Sequence, residues 1–185
     1  RNGARLDVAE ITRMARRKGA LVLLDCFQSV GVMQVDVKAL DVDFAVGGML
    51  KYLLGTAGIG FLYVREGCIP QLTPKASGWF AQADVDAMDV SRNVPSPTAR
   101  RFQAGTPPVP NCYAALAGLD IILQLGSTAI ETYVRELTGR CMDRLLEAGC
   151  RLATPREDSR RGPTVAICSS NDVELTARLA ERNVI

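Results

Sequence analysis

The sequence predicts an α/β fold on three observations: capped helix signatures near both ends of the chain, apolar runs of strand length after the first of them, and glycine or proline where elements stop. Asp7 followed by Glu10 has capping-box spacing, and Val8, Ile11 and Ala15 give an apolar face. A helix is therefore predicted from about residue 8 to 17, with Gly19 as its stop. Ala20 to Leu24 is a continuous apolar run, which predicts a strand buried on both faces of a parallel sheet. Two further strands are predicted at Phe44 to Gly47 and Gly60 to Val64, separated by a loop over Asp36 to Asp43 and by a glycine-rich passage.

The stretch from about Lys75 to Pro110 carries most of the prolines. It reads as a long ordered loop region with one short helical window at Asp84 to Met88, and loops of that length in compact proteins are commonly functional. Helices are predicted over about 110–125, opened by Pro110 and stopped by Gly126, and over about 128–148, opened by Thr128 with Glu131 and stopped by Gly149. A strand at Thr164 to Cys168 and a helix from Asn171 with Glu174 begin a smaller α+β unit.

Composition removes several function classes. The 185 residues hold 22 Lys+Arg against 20 Asp+Glu, a net charge of +2, too weak a balance to argue for nucleic acid or an anionic membrane surface. There is no His, which excludes Ser-His-Asp and Cys-His catalysis, His-ligated zinc and a histidine switch within this stretch. The cysteines at 26, 68, 112, 141, 150 and 168 form no CxxC pair, so the expectation is buried free thiols in a reducing cytosol, with no metal-ligating set. Arg1 to Arg5 do not read as a signal peptide, and the apolar stretches Gly19 to Leu24 and Ala114 to Leu125 are too short or too interrupted to span a bilayer. With no initiator Met and an end on Asn183-Val184-Ile185, both termini read as cut.

Candidate chemistry follows the strands, because ligands in open α/β sheets bind at the carboxyl ends of strands. Asp25 stands there; on local sequence alone it could equally cap a turn, and Gln28 could be a solvated loop residue. Lys51 has no charged neighbour within Ala45 to Gly55. An apolar surround disfavours an ammonium and frees the amine as nucleophile or base, unless the side chain snorkels to water. Five glycines between Gly47 and Gly60 suggest close backbone approaches. Gly55 to Gly60 is spaced GxxGxG and precedes a strand, so it is neither a dinucleotide fingerprint nor a Walker A loop.

Several segments in combination resemble the class V aminotransferase family of pyridoxal-phosphate enzymes, which includes cysteine desulfurases, kynureninase and isopenicillin N epimerase-like proteins. They are Leu23-Leu24-Asp25-Cys26-Phe27-Gln28-Ser29-Val30-Gly31, Asp43-Phe44, Gly47-Gly48-Met49-Leu50-Lys51, Gly58 to Val64, and Arg101-Phe102-Gln103-Ala104-Gly105-Thr106-Pro107, similar to the family's RFExGTP motif. The resemblance implies fold type I, with residues 1–125 forming the C-terminal part of the large cofactor-binding domain. Residues 126–185 would then be a linking helix and the start of the small C-terminal α+β domain.

The resemblance also implies roles for particular residues. Lys51 would form the Schiff base with pyridoxal 5'-phosphate and carry the proton at the substrate's α-carbon; Asp25 would face the pyridine nitrogen; Gln28 would hydrogen-bond the phenolic oxygen. Gly105 and Thr106 would reach the phosphate from a partner subunit, implying a homodimer with shared active sites and an amino-acid substrate. Trp79 resembles a kynureninase Gly-Trp segment near the phosphate, with a core tryptophan as the alternative.

This chain also departs from the family pattern. Gly48 and Leu50 stand where the family often has the Ser and His that touch phosphate, leaving Trp79 or Tyr52 as candidates to replace those contacts. Cys168 is the cysteine placed to act as a desulfurase nucleophile, with a buried structural thiol as its alternative, and Gln28 stands where kynureninase has His. The resemblance implies that further phosphate contacts, a ring-stacking residue and the substrate-carboxylate arginine lie outside this chain. It also implies a reaction of lyase, epimerase or aminotransferase type. The rival is a non-catalytic α/β dimerisation module derived from the family: loss of Ser and His favours it, and joint retention of Asp25, Gln28, Lys51 and Gly105-Thr106-Pro107 argues against it.

Overall fold

The computed structural model describes residues 2–184, so Arg1 and Ile185, part of the two ends read as cut, lie outside the described residues. The chain divides into two compact units, one formed by Asp7–Ile130 and the other by residues 2–6 with 131–184.

The first unit opens with α1 (Val8–Arg16), whose N-cap Asp7 accepts the Glu10 N–H at 2.9 Å. The capping box ties down an orphan N–H of the first turn. Gly19 closes the turn after the helix at φ +67. The buried residue of this helix is Thr12, while Ile11 remains 43% exposed, so the expected apolar face is only partly covered.

Strand β1 (Leu23–Asp25) pairs in parallel with β2 (Phe44–Gly48), Leu23 opposite Phe44 and Asp25 opposite Val46. Strand β3 (Gly60–Val64) runs antiparallel along the other side of β2, Gly60 opposite Gly48 and Val64 opposite Phe44. The order β1-β2-β3 buries Ala45 and Val64, and Cys26 just beyond β1 is also buried. The prediction of a first strand buried on both faces is corrected: β1 is three residues long, and Leu21 and Leu23 are each 59% exposed. Its apolar run has the composition of an interior strand, but within this unit only β2 lies beside it.

The long loop region is ordered by hydrogen bonds and two short 3-10 turns, Trp79–Ala81 and Ala99–Phe102. The helical window at Asp84 to Met88 is not a helix. Asp84 accepts the N–H groups of Asp86 and Ala87, and Met88 sits at φ 48, so the carboxylate builds a turn in competition with helix. Helix α2 (Val109–Leu125) follows, with Pro110 in its first turn and Gly126 ending it at φ +80.

Helix α3 (Ser127–Glu147) starts at the end of the first unit and, in the second, buries Thr138 and Met142. Strands β4 (Arg151–Leu152) and β5 (Ile167–Cys168) pair antiparallel, so the strand expected from Thr164 shrinks to two residues. Buried Arg161 donates to Thr138 Oγ1 at 2.5 Å and to the Arg135 carbonyl at 2.9 Å, with Asp158 as its counter-charge. Helix α4 (Asp172–Ala180) is capped by Asn171, which accepts the Glu174 N–H at 3.4 Å. Among the described residues no single helix is long and apolar enough to cross a membrane.

Candidate active site

Parallel pairing of β1 with β2 places Asp25 and the Gly48–Lys51 turn at the same end of the sheet. Asp25 ends β1 and is exposed; its Oδ1 accepts the Phe27 N–H at 3.0 Å, an Asx turn that reverses the chain toward Gln28. The turn-capping role and the candidate functional role therefore coexist, since one N–H occupies only part of a carboxylate's accepting capacity. Gln28 is exposed. Next to Asp25, Cys26 is buried, its thiol donates to the Val46 carbonyl at 3.0 Å, and desolvation pushes it up from the usual thiol range. It is a packing residue of the strand end.

Lys51 follows β2 in a tight turn, with Leu54 N–H on the Lys51 carbonyl at 3.0 Å and Gly55 N–H on the Met49 carbonyl at 2.7 Å. Leu54 takes φ 59, a left-handed value that costs an ordinary residue about 1–2 kcal/mol. Packing holds the turn from two sides. A Cβ on Gly118 of α2 would lie 2.4 Å from the Leu53 carbonyl oxygen, and one on Gly31 would lie 2.4 Å from that of Tyr52. Asn111, one helical face along from Gly118, donates to the Ala57 carbonyl at 2.5 Å.

Of the two readings of Lys51, the structure shows the one that reaches water: Lys51 is exposed, and its ammonium lies 5.1 Å from the centre of the Phe27 ring. That ring fills the space beside Gly48, where a Cβ would come within 2.2 Å of a ring carbon. Phe27 was part of a recognisable segment but had no role in the sequence reading. The pair Gly47-Gly48 was the available signal that something packs against that backbone.

The second group of candidates is joined by a different contact. Gly78 lies so close to Ala104 that a Cβ would overlap its carbonyl oxygen at 1.5 Å, which sets Trp79 beside the Gly105-Thr106 segment. Gln82 organises this loop, donating to the Gly78 carbonyl at 3.2 Å and to Asn93 at 2.9 Å while accepting the Val94 N–H at 2.8 Å. Arg101 secures the other strand of the loop through the carbonyls of Ser96, Ile69 and Leu72 at 2.7, 2.7 and 3.0 Å. Trp79 is 46% exposed with its ring edge-on to Phe80 at 4.7 Å, and both Gly105 and Thr106 are exposed, so the core-tryptophan alternative does not hold. Tyr52 is half-buried.

The expectation of buried thiols holds fully for Cys26 alone: Cys141 and Cys168 are exposed, and the remaining three are intermediate. Cys168 sits on β5 opposite Arg151, so its alternative as a buried structural thiol is also corrected.

Comparison with known proteins gives one consistent result. The family model described as aminotransferase class-V matches residues 1–184. The chain is 35% identical over 186 residues to "Uncharacterized aminotransferase YcbU" of Bacillus subtilis (strain 168), covering 100% of this chain and 48% of that one. It is 33% identical over 190 residues to the kynureninase of Deinococcus radiodurans, covering 100% and 46%. Among solved structures, the apo cysteine desulfurase of Thermococcus onnurineus NA1 superposes with a TM-score of 0.85 at 27% identity, covering 99% of this chain and 45% of that one. The chain thus spans about half the length of the relatives it matches.

Proposed function

The chain belongs to the class V aminotransferase family, whose fold is type I of the pyridoxal-phosphate enzymes, and from that premise we propose that it carries the lysine side of a pyridoxal 5'-phosphate site acting on an amino acid, with Lys51 as the covalent anchor. The observation that carries the reading is the common placement of Lys51 and Asp25 at one end of the sheet, neither in an ion pair among the described residues. A carboxylate, a primary amide and an amine at one strand end are the groups that a pyridine nitrogen, a phenolic oxygen and an aldehyde call for, so the residues present fit this cofactor.

When bound, the cofactor supplies an electron sink for charge left on a substrate's α-carbon. Asp25 would keep the ring nitrogen protonated, and Gln28 would donate its amide N–H to the ring oxygen. Lys51 would hold the cofactor through its amine, and the same amine would be the group that takes or returns a proton at the substrate's α-carbon. The Gly105 N–H and Thr106 hydroxyl would bind phosphate across the interface of a homodimer, beside Trp79. The nearly all-apolar α2, with Tyr113 at 72% and Leu123 at 77% exposure, supports such an interface, because a helix apolar on all sides is normally covered. In this reading residues 1–125 are the C-terminal part of the large domain and 126–185 the linking helix and start of the small one. Activity of lyase, epimerase or aminotransferase type belongs to the longer protein, in the cytoplasm, and the 185 residues alone are expected to be inactive.

The test is an absorbance spectrum of the full-length protein after loading with pyridoxal phosphate and dialysis, followed by borohydride reduction and peptide mapping. A visible band retained by wild type, fixed by borohydride at Lys51 and absent from Lys51→Ala, is expected. Fixation at another lysine, or a band unchanged in Lys51→Ala, overturns the assignment.

A further inference from the structure

We propose that Phe27 is a positioning residue of the lysine site, a ring that takes the place of a side chain at position 48 and holds the end of Lys51 next to Asp25. The inference rests on the reading of Lys51 as the cofactor anchor and adds to it a residue with which that anchor is geometrically coupled.

Three contacts converge on Phe27. Its N–H is held by the Asp25 carboxylate at 3.0 Å, its ring carbons would be 2.2 and 2.5 Å from a Cβ at position 48, and its ring centre is 5.1 Å from the Lys51 ammonium. The first contact fixes the backbone from which the ring projects. The second shows that the ring and any side chain at 48 exclude each other, so Gly48 is the condition for Phe27 to sit there. The third is a cation–π distance, within the roughly 6 Å over which a ring face attracts an ammonium. An exposed lysine otherwise spreads over many rotamers, and confining its end over residue 27 keeps the amine near the carboxylate two residues away. The departure at position 48 from the family's serine is thus answered by Phe27, and the two positions form one packing unit.

The test uses the full-length protein stripped of cofactor, with two readouts. In the first, Gly48→Ser lowers the melting temperature of the cofactor-free protein, and Phe27→Ala in the same chain reverses much of that loss by opening the space. A Gly48→Ser penalty of the same size with and without Phe27→Ala overturns the packing unit.

The second readout is the rate at which pyridoxal phosphate becomes fixable to Lys51 by borohydride, followed by mass spectrometry. Phe27→Leu, which keeps bulk but removes the ring face, is expected to melt like wild type and to change the rate of cofactor capture roughly two- to fivefold, the size of an exposed cation–π contact. Phe27→Tyr restores the wild-type rate. Capture by Phe27→Leu at the wild-type rate overturns the positioning role while leaving Lys51 as the anchor. A wild type that fixes no cofactor overturns the anchor and the positioning role together, and is told apart because every variant is then equally silent.

Discussion

The two ends of the three-stranded sheet treat the same residue types in opposite ways. At the end where β1 and β2 begin, Asp43 is 1% exposed and engaged: its carboxylate accepts the Val22 N–H at 2.8 Å and an N–H of the Arg16 guanidinium at 3.1 Å, and it lies 3.3 Å from the Arg65 guanidinium in an ion pair without a hydrogen bond. Asp41 bridges the same two arginines at 2.6 Å each. At the end where those strands finish, Asp25 and Lys51 are exposed, one holding a single backbone N–H and the other lying against a ring. A charge taken out of water must be paired, which makes the first end a clamp on strand register. Charges left in water with spare hydrogen-bonding capacity contribute little to the fold and remain available to a ligand. The difference separates residues that hold the sheet from residues left open to solvent at its edge.

That separation is most sharply tested by exchanging carboxylate for amide at each end of the full-length protein. Asp25→Asn is expected to lower turnover about 100-fold or more, the usual size of effect for losing a positioned proton-handling group, with an unchanged melting temperature. A large drop in melting temperature would mean that Asp25 also holds the fold, and the contrast between the ends would fail. Asp43→Asn should do the reverse, costing about 2 kcal/mol of stability in a denaturant titration. The value lies below that for breaking a fully buried pair because the Arg16 and Arg65 side chains are 39% and 29% exposed. Turnover measured below the transition should change little.

The sequence carried local signals well and the partners of the clamp end poorly, for reasons that lie in range. Capping signals are local, so Asp7 with Glu10, Asn171 with Glu174, and the stop at Gly126 are all realised as hydrogen bonds or left-handed turns where the sequence places them. The placement of Asp25 at the end of β1 and of Lys51 shortly after β2 was legible, because strand ends follow from short-range patterning. What stayed hidden depends on partners far along the chain. The engagement of Asp43 by Arg16 and Arg65, the ring of Phe27 beside Gly48, and the fit of Gly118 under Leu53 each join residues about 20 or more positions apart. Burial of β1 was misjudged for the same reason: an apolar run shows what a strand can bury, not which element covers it. The Asp84 turn failed differently, since one side chain accepting two N–H groups outcompetes a weak helical window.

The comparison can be sharpened by disturbing the solvent-open end without touching a charge. Gly118→Ala places a methyl 2.4 Å from the Leu53 carbonyl oxygen and 2.7 Å from that of Leu54, so the turn that presents Lys51 must move. Overpacking of this kind costs about 1–3 kcal/mol, and because Leu54 already sits at φ 59 the turn has little room to yield. The expected result is a destabilisation of about 1 kcal/mol with weakened pyridoxal phosphate retention. Gly67→Ala, whose Cβ meets nothing within 4 Å, serves as the silent control. If Gly118→Ala destabilises the protein but retains cofactor as wild type does, the turn is not what positions Lys51.

The smallest effect lies at the clamp end and is visible only in acid. Hydrogen bonds from Arg65 first and Arg16 second hold the Asp41 carboxyl below its usual range in the folded protein. A carboxylate depressed by folding contributes stability above its unfolded value, and that contribution is lost as pH falls through the folded one. Asp41→Asn removes the contribution at every pH without disturbing the backbone, because Asp41 is at φ 55 and asparagine adopts that left-handed conformation readily. The melting temperatures of wild type and variant should therefore differ by a constant small amount above about pH 5 and converge as the pH drops below about 4, where the wild-type carboxylate also loses its charge. A gap that persists undiminished at pH 2 would assign the effect of the substitution to shape and not to the ion pairs. The clamp would then owe its strength to Asp43 alone, the carboxylate that burial forces into partnership.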